Sequence, residues 1–591
     1  MCPDSLARRV QDERVGQTEG RPGRGVPEVP AKAVSPLGQL FAPPRPADSR
    51  PRTTDSRAVP RRGSAIGCDP SFPVAWSLAH PDPCGKSAAQ SCASGRRRDA
   101  GRPLPPRHAI TKNRRDPPMR ELGLILGTER SDRGTSREIR SPYDARTVGR
   151  IAFGDAAVMQ QAIELANQRF PDYAREPLHR RIGWLRGIAA GIERHAEEIA
   201  HTIADEAGKP IRLARLEATR APATFRAAAD ESAHLDGELL SLDKAAGGEG
   251  RLGLVRRVPA GPVGAVSPFN FPLNLASHKV AAALAAGNPV VLKPASQTPM
   301  TAVLLGRIAL EAGLPEGVLS VIPCSAREAA PLIVDPRIKV FSFTGSAEVG
   351  WKIKSQAPEK RITLELGGNA GAIVEPDADI AFAAQRLSLG GFMYAGQICI
   401  SVQRIFVHEQ VAEPFLEALV RHAREEIACG DPQDENVVCG PMIDAANADR
   451  VADWIARAVE AGGQASLPST REGNLLSPAI LRDVPREQPI SCREAFGPVV
   501  VVETYREFEE ALTGMNDSDF GLQAAIFTRD VGRVLAAFDT LEVGGIIHND
   551  YPTFRVDPMP YGGVKQSGFG REGPRYAIEE MMELRLLVLR R

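Results

Sequence analysis

Five short segments carry residue types whose chemistry goes beyond packing. In Ser267-Pro-Phe-Asn-Phe-Pro272, Asn270 follows the apolar run Val263-Gly-Ala-Val266. An amide N–H at a strand's carboxyl end can be aimed at a developing oxyanion, although an Asn taken alone is also an ordinary turn residue. In Val291-Leu-Lys-Pro-Ala-Ser296, Lys293 again stands at a strand end, where it can reach ribose hydroxyls or be solvated on the surface. In Phe343-Thr-Gly-Ser-Ala-Glu-Val-Gly350, Gly345 and Ser346 fall where a strand turns into a helix. Free backbone N–H groups there can face a pyrophosphate, but a lone GSxxxG is not the GxGxxG fingerprint and carries little by itself. Glu365 lies in the otherwise apolar run of Thr363-Leu-Glu-Leu-Gly-Gly368. Burial penalises an ionised carboxylate, so such a Glu is either a base with a raised pKa or a strand-end acid that is paired or solvated. Cys399, in Gly396-Gln-Ile-Cys-Ile-Ser401, offers a thiol nucleophile, while a free cysteine is most often an inert buried apolar residue.

Positioning these groups requires a large body. At 591 residues the chain is too long for one core, so at least two packed domains are expected. Formal net charge is zero, yet residues 1–118 hold 21 Lys and Arg against 11 Asp and Glu, which leaves the remainder acidic by the same margin. A body of that sign has no general attraction for nucleic acid phosphates. No apolar run reaches bilayer-spanning length. The nine cysteines show no regular spacing and no CxxC pair, as expected of reduced thiols in a cytosolic protein. Residues 1–118 also hold 19 of the 49 prolines and no apolar periodicity. They are expected to be disordered or spurious upstream sequence, with the working start at Met119. A transit peptide and a basic nucleic-acid arm fit that composition less well.

Ordered signals begin near Glu138. Asp155 can cap a helix carrying Val158, Ile163, Leu165 and Phe170. A second helix is predicted from about Leu178 through Ile203, stopping at Gly208-Lys209-Pro210. From Val263 short apolar runs alternate with helices: Val290-Val-Leu292, Val318 to Ile322, Ile338 to Phe343, Ile362 to Leu366 and Ala372 to Val374. Helices at Leu275–Ala286 and Ala302–Ala312 separate them, the pattern of buried parallel strands in a doubly wound α/β sheet. A second α/β stretch runs from about Asp377 to Gly563. Arg251 to Arg256 and Leu584 to Val588 read as outlying strands suited to pairing with another subunit.

Together with Glu494-Ala-Phe-Gly-Pro-Val499 and Pro560-Tyr-Gly-Gly-Val-Lys-Gln-Ser-Gly568, these segments resemble the NAD(P)-dependent aldehyde dehydrogenase superfamily from about Glu138 to the C-terminus. The resemblance implies a Rossmann-like cofactor domain at 119–236 and 259–367, and a catalytic domain at 368–566. It also implies a small bridging arm at 237–258 and 580–591 that builds a homodimer or homotetramer. It makes Cys399 the nucleophile, Glu365 the general base and Asn270 the oxyanion amide. Lys293 and Ser296 then lie at the adenosine ribose, Gly345 and Ser346 at the pyrophosphate, and Glu494 and Phe496 at the nicotinamide ribose and ring. Relatives that strongly prefer NAD commonly carry Glu where this chain has Ser296, so use of NADP alongside NAD is expected. No metal is implied.

The implied reaction is attack of the Cys399 thiolate on an aldehyde, loss of hydride to leave a thioester, and hydrolysis by water that Glu365 activates. Two oxyanion donors, the Asn270 amide and the Cys399 N–H, would each contribute roughly 3 kcal/mol. Members that transfer the acyl group to CoA lack the Glu at this position, and a silent scaffold would have lost one of the three groups. A redox-switch role for Cys399 is a further alternative. Arg493 stands where the family usually has a second acid, and Cys492 is unusual in that loop. Gln397 to Arg404 resembles the branch of lactaldehyde, non-phosphorylating glyceraldehyde-3-phosphate, phosphonoacetaldehyde and sulfoacetaldehyde enzymes. Arg220 and Arg555 are candidate anchors for an anionic or hydroxylated small aldehyde. Against this, Asp557 is an obvious partner for Arg555, and Ile398 replaces the cation that glyceraldehyde-3-phosphate enzymes tend to carry before the nucleophile.

Overall fold

The computed structural model describes residues 120–591, so the Pro- and Arg-rich extension and Met119 lie outside the described residues. The first large sheet has five parallel strands at its centre. Across the sheet they run Arg361–Glu365, Val340–Thr344, Val263–Val266, Val290–Lys293 and Leu319–Val321. The earliest of them in the chain, Val263–Val266, lies in the middle, and later strands are added outward on both sides. Strand order therefore reverses between Val263–Val266 and Val340–Thr344, which opens a crevice at their carboxyl ends. Asn274–Ala286 is buried at every position, His278 and Lys279 included.

A second sheet of seven strands runs Gln464–Leu467, Ala479–Arg482, Val499–Tyr505, Val402–His408, Ala370–Val374, Gln523–Phe527 and Gly545–His548. All its pairings are parallel except that of Gln464–Leu467. A third sheet is antiparallel. Met582–Arg590 pairs along its whole length with Arg251–Pro259, which pairs in turn with Glu238–Ser241. These outlying strands carry exposed Leu239, Leu254, Leu584, Leu586, Leu587, Val588 and Leu589. Among the described residues, no helix is long and apolar enough to cross a membrane.

Three differences from the sequence reading have local causes. Order begins before Glu138: Leu124–Leu126 and Thr128–Arg130 form a hairpin on the edge of the first sheet. Strands of three residues, turned by Gly127 at φ 75°, are too short to show a period. The helix predicted from Leu178 is two, Leu178–Arg194 and Ala196–Ala207, broken at His195. Apolar spacing continues through the break because both pieces face one core. Finally, Ala370–Val374 is not a member of the first sheet; it opens the second.

Candidate active site

Cys399 sits between a kinked turn and a strand of the second sheet. Helix Ile380–Phe392 ends in Met393–Gly396, where Tyr394 and Ala395 are held at φ 52° and 53°. Gln397 fixes the next step: its side-chain amide donates to the Pro441 carbonyl at 3.1 Å and accepts from the Ile443 N–H at 2.8 Å. Asn270 is buried, and its amide donates to the Gln397 carbonyl at 3.0 Å, two residues from Cys399. The loop carrying Asn270 is tied by Glu217, which accepts the Leu273 and Asn274 N–H groups and pairs with buried Lys209.

Glu365 ends the edge-most of the five parallel strands, 3% exposed, and both carboxyl oxygens lack a hydrogen-bond partner. Burial holds its pKa well above the usual carboxylate range, and the neighbouring charge of Glu572 adds to the effect. The segment Pro560 to Gly563 links this acid to the thiol. Tyr561 Oη lies 3.0 Å from Cys399 Sγ, and a Cβ on Gly562 would lie 3.1 Å from Glu365 Oε1. The chain leaving Glu365 also packs on the Cys399 backbone, since a Cβ on Gly368 would come 2.3 Å from the Cys399 carbonyl oxygen. Burial pushes the Cys399 thiol up to about 12, with the Tyr561 hydrogen bond acting in the opposite direction.

Arg555 is not paired with Asp557. Its guanidinium bonds Glu572 at 3.1 Å and lies 3.6 Å from the centre of the Tyr561 ring, within electrostatic reach of Cys399 and Glu365. Glu572 also binds Lys279 at 2.9 Å. Burial opposes its ionisation, but Lys279, His278 and Arg555 outweigh that and hold it down at about 2. Asp557 instead faces Arg220 at 3.3 Å, His278 at 3.4 Å and the Thr224 hydroxyl at 3.0 Å. Arg220 is 26% exposed and makes that single bond, so most of its donors stay open. The two arginines are thus joined through neighbouring acids at one site, in different roles.

The nucleotide candidates are split between the ends of first-sheet strands, which carry Lys293 and the Gly345-Ser346 turn, and the loop before Val499–Tyr505, which carries Glu494 and Phe496. Lys293 is 9% exposed and makes no side-chain hydrogen bond among the described residues, so it is not the freely solvated lysine that its sequence also allowed, and burial lowers its pKa. Ser296 donates to the Cys324 carbonyl at 3.1 Å, which leaves its lone pairs able to accept. Ser346 is the N-cap of Ala347–Gln356 and makes no side-chain cap bond. The Gly345 N–H is not free as expected: it donates to the Glu365 carbonyl at 3.1 Å, because the turn folds back on the adjacent strand. Glu494 accepts the Gly368 N–H at 3.0 Å, and burial pushes its pKa up to about 7. Phe496, at φ 46°, meets Phe269 edge to face at 5.8 Å. Arg493 and Cys492 do not unsettle this loop. Gln403 clasps it by donating to the Ile490 and Arg493 carbonyls and accepting the Ala495 N–H.

A profile of the aldehyde dehydrogenase family matches residues 128–587. The chain belongs to the aldehyde dehydrogenase family. It is 40% identical over 476 residues to a 3-sulfolactaldehyde dehydrogenase of Priestia megaterium, covering 80% of this chain and 98% of that protein. Among solved structures, aldehyde dehydrogenase 21 from Physcomitrella patens, in complex with the reaction product succinate, is 40% identical. It aligns with a TM-score of 0.78 over 80% of this chain and 98% of that one. An NADP-dependent glyceraldehyde-3-phosphate dehydrogenase from Bacillus halodurans, complexed with NADP, is 33% identical. Its TM-score is also 0.78, over 80% of this chain and all of that one. Membership makes the chain an oxidoreductase acting on aldehydes, and its fold is the α/β fold of that family.

Sequence reasoning missed several residues of this family member's site. Tyr561 was read only as part of a glycine-rich motif. Lys279 and His278 carried a signal that went unused: two titratable residues inside a helix otherwise almost wholly apolar are costly unless they have buried partners. Glu572 and Gln403 gave no such signal, since their partners come from distant parts of the chain.

Proposed function

We propose that this chain oxidises a small anionic or hydroxylated aldehyde to its carboxylic acid, with NADP or NAD as oxidant, through an acyl thioester on Cys399. The observation that carries this reading is the Glu365 carboxyl: buried, without a hydrogen-bond partner, and one residue-contact away from the Tyr561 that touches Cys399. A carboxyl so placed costs free energy and has no packing role, whereas a base with a raised pKa needs that environment. The dinucleotide fits the crevice, because Lys293 offers a buried, unpartnered ammonium there and Ser296 an open acceptor. Lys293, Ser296, Ser346, Glu494 and Phe496 would hold it, and when bound it supplies the hydride acceptor. The first sheet is then the cofactor domain, the second the catalytic domain, and the third an arm between subunits of a dimer or tetramer.

In this mechanism Tyr561 donates its hydroxyl hydrogen bond to the Cys399 thiolate, which attacks the aldehyde carbon. Asn270 turns its amide from the Gln397 carbonyl to the oxyanion. After hydride leaves the carbon, Glu365 takes a proton from water, and hydroxide displaces the thiolate from the thioester. Retention of Glu365 favours hydrolysis over transfer to CoA, and the intact set of Cys399, Glu365 and Asn270 argues against a silent scaffold.

Charge beside the Cys399–Glu365 pair supports an anionic substrate. Arg220, Arg555 and Lys279 face ionised Asp557 and Glu572, which leaves one positive charge uncompensated while Glu365 is protonated. Arg220 has donors to spare for a carboxylate or sulfonate. Relatives whose names carry sulfolactaldehyde, succinate and glyceraldehyde-3-phosphate all concern anions. The test is a comparison of kcat/KM for 3-sulfolactaldehyde, succinic semialdehyde, lactaldehyde and propanal with each cofactor. Anionic or hydroxylated aldehydes are expected to exceed propanal, and Arg220→Ala to raise KM for the anions alone. Equal kcat/KM for propanal and the anions would contradict the substrate class. An NAD preference above a hundredfold would contradict the cofactor reading.

A further inference from the structure

A pair of cysteines stands behind the loop that carries Cys399. Cys429 and Cys439 are directly opposite one another in an isolated parallel bridge. The Ala428 carbonyl accepts the Val438 and Cys439 N–H groups at 2.9 and 3.0 Å, and the Gly430 N–H donates to the Cys439 carbonyl at 3.3 Å. Backbone hydrogen bonds on both sides of the pair therefore fix the two residues face to face. The Cys439 thiol, facing Cys429 across this bridge, lowers the Cys429 pKa. Cys439 is fully buried and Cys429 half-buried, so one sulfur of the pair is open to a small oxidant and the other is held behind it. This is the arrangement of an attacking and a resolving cysteine.

We propose that Cys429 and Cys439 are a modification site that hydrogen peroxide converts reversibly into a disulfide. The Cys429 thiolate attacks one peroxide oxygen, the O–O bond breaks, and hydroxide leaves to become water, giving a sulfenic acid. The Cys439 sulfur attacks the sulfenic sulfur, the S–S bond forms, and the S–O bond breaks. The departing hydroxide takes the Cys439 proton as a second water. Two thiols are oxidised and one peroxide is reduced to two waters.

The bond would act on catalysis through the strand that bears Cys439. The Val438 carbonyl accepts the Tyr394 N–H at 2.9 Å, and Pro441 and Ile443 hold both ends of the Gln397 amide. Gln397 in turn receives Asn270 and lies two residues from Cys399. Drawing Cys439 toward Cys429 displaces these supports, so the oxidised protein loses activity and regains it with dithiothreitol. That consequence rests on the proposed role of Cys399, whereas the bond itself does not.

The experiment treats the full chain with hydrogen peroxide, blocks remaining thiols, and cleaves after Glu435, which separates the two cysteines. Wild type and Cys399→Ser are expected to give the two fragments joined, two hydrogens lighter than their sum, and Cys429→Ser to give them apart. Cys429→Ser is expected to keep basal activity and to need several-fold more peroxide for the same dithiothreitol-reversible loss. Sulfinic or sulfonic acid on Cys429 without joined fragments would overturn the site. Joined fragments together with identical peroxide sensitivity in wild type and Cys429→Ser would overturn the coupling to the nucleophile loop.

Discussion

With its thiol pushed up to about 12, Cys399 in this state is almost wholly protonated at neutral pH. Among the described residues, the Tyr561 hydroxyl is the one side-chain group bonded to that sulfur, and it favours the thiolate. A hydrogen bond to a charged group is typically worth about 1.5–3 kcal/mol, so Tyr561→Phe is expected to cut thiolate-dependent alkylation by iodoacetamide roughly tenfold or more. The alkylation pH profile should move upward as well, because losing the donor raises the thiol pKa further. A profile unchanged by Tyr561→Phe would remove the residue from thiol activation and leave it a packing role. Glu365 sets a second pH dependence. Its pKa is raised by burial and by Glu572, and only the ionised form accepts a proton from water. Thioester hydrolysis should therefore rise with pH through a limb lying above the range where a free glutamate titrates. That limb should vanish in Glu365→Gln, as steady-state and single-turnover rates across pH would reveal.

The elements place these groups through close backbone approaches that no side chain could occupy. Gly368 packs on the Cys399 carbonyl and donates its N–H to Glu494, so Gly368→Ala must move Cys399, Glu494 or both. A displacement of that order costs about a hundredfold in kcat, whereas the melting temperature is expected to change far less. Asp155→Ala provides the contrast. It removes the cap on Val158 N, costs about 1 kcal/mol of stability, and leaves kcat unchanged. Denaturant melts paired with kinetics distinguish the two. Apolar runs and caps made the central strands and the Asp155 helix readable in the sequence, and motif spacing brought Asn270, Glu365 and Cys399 to one list. The hairpin before Glu138 was not readable, because three-residue strands have no period. Nor was the exchange of partners between Arg555 and Arg220. Asp557 is two residues from Arg555 in sequence, yet Glu572, carried on the strand-like return from Tyr561, reaches it instead. Pairings of that kind depend on tertiary packing, which one sequence does not encode locally.

Across the whole molecule, the third sheet is the feature that one chain does not explain. Met582–Arg590 is an edge strand whose Leu584, Leu586 and Val588 are 63%, 54% and 45% exposed, and Leu587 and Leu589 are exposed as well. An exposed apolar edge strand is a template for pairing with another chain. If that chain is a second subunit, replacing Leu584 and Leu586 with Asp should lower the particle mass by light scattering. Far-ultraviolet circular dichroism should stay unchanged, since both side chains leave the core untouched. An unaltered mass would place the subunit contact elsewhere.

The central claim, an acyl thioester on Cys399 released by Glu365, is tested most directly by intact-protein mass spectrometry. Glu365→Gln would be mixed with aldehyde and NADP and quenched during turnover. The expected result is one acyl group per chain, mapped to Cys399, with reduced cofactor formed in equal amount and slow further turnover. Sustained wild-type turnover with no adduct, or an adduct on another residue, would contradict it.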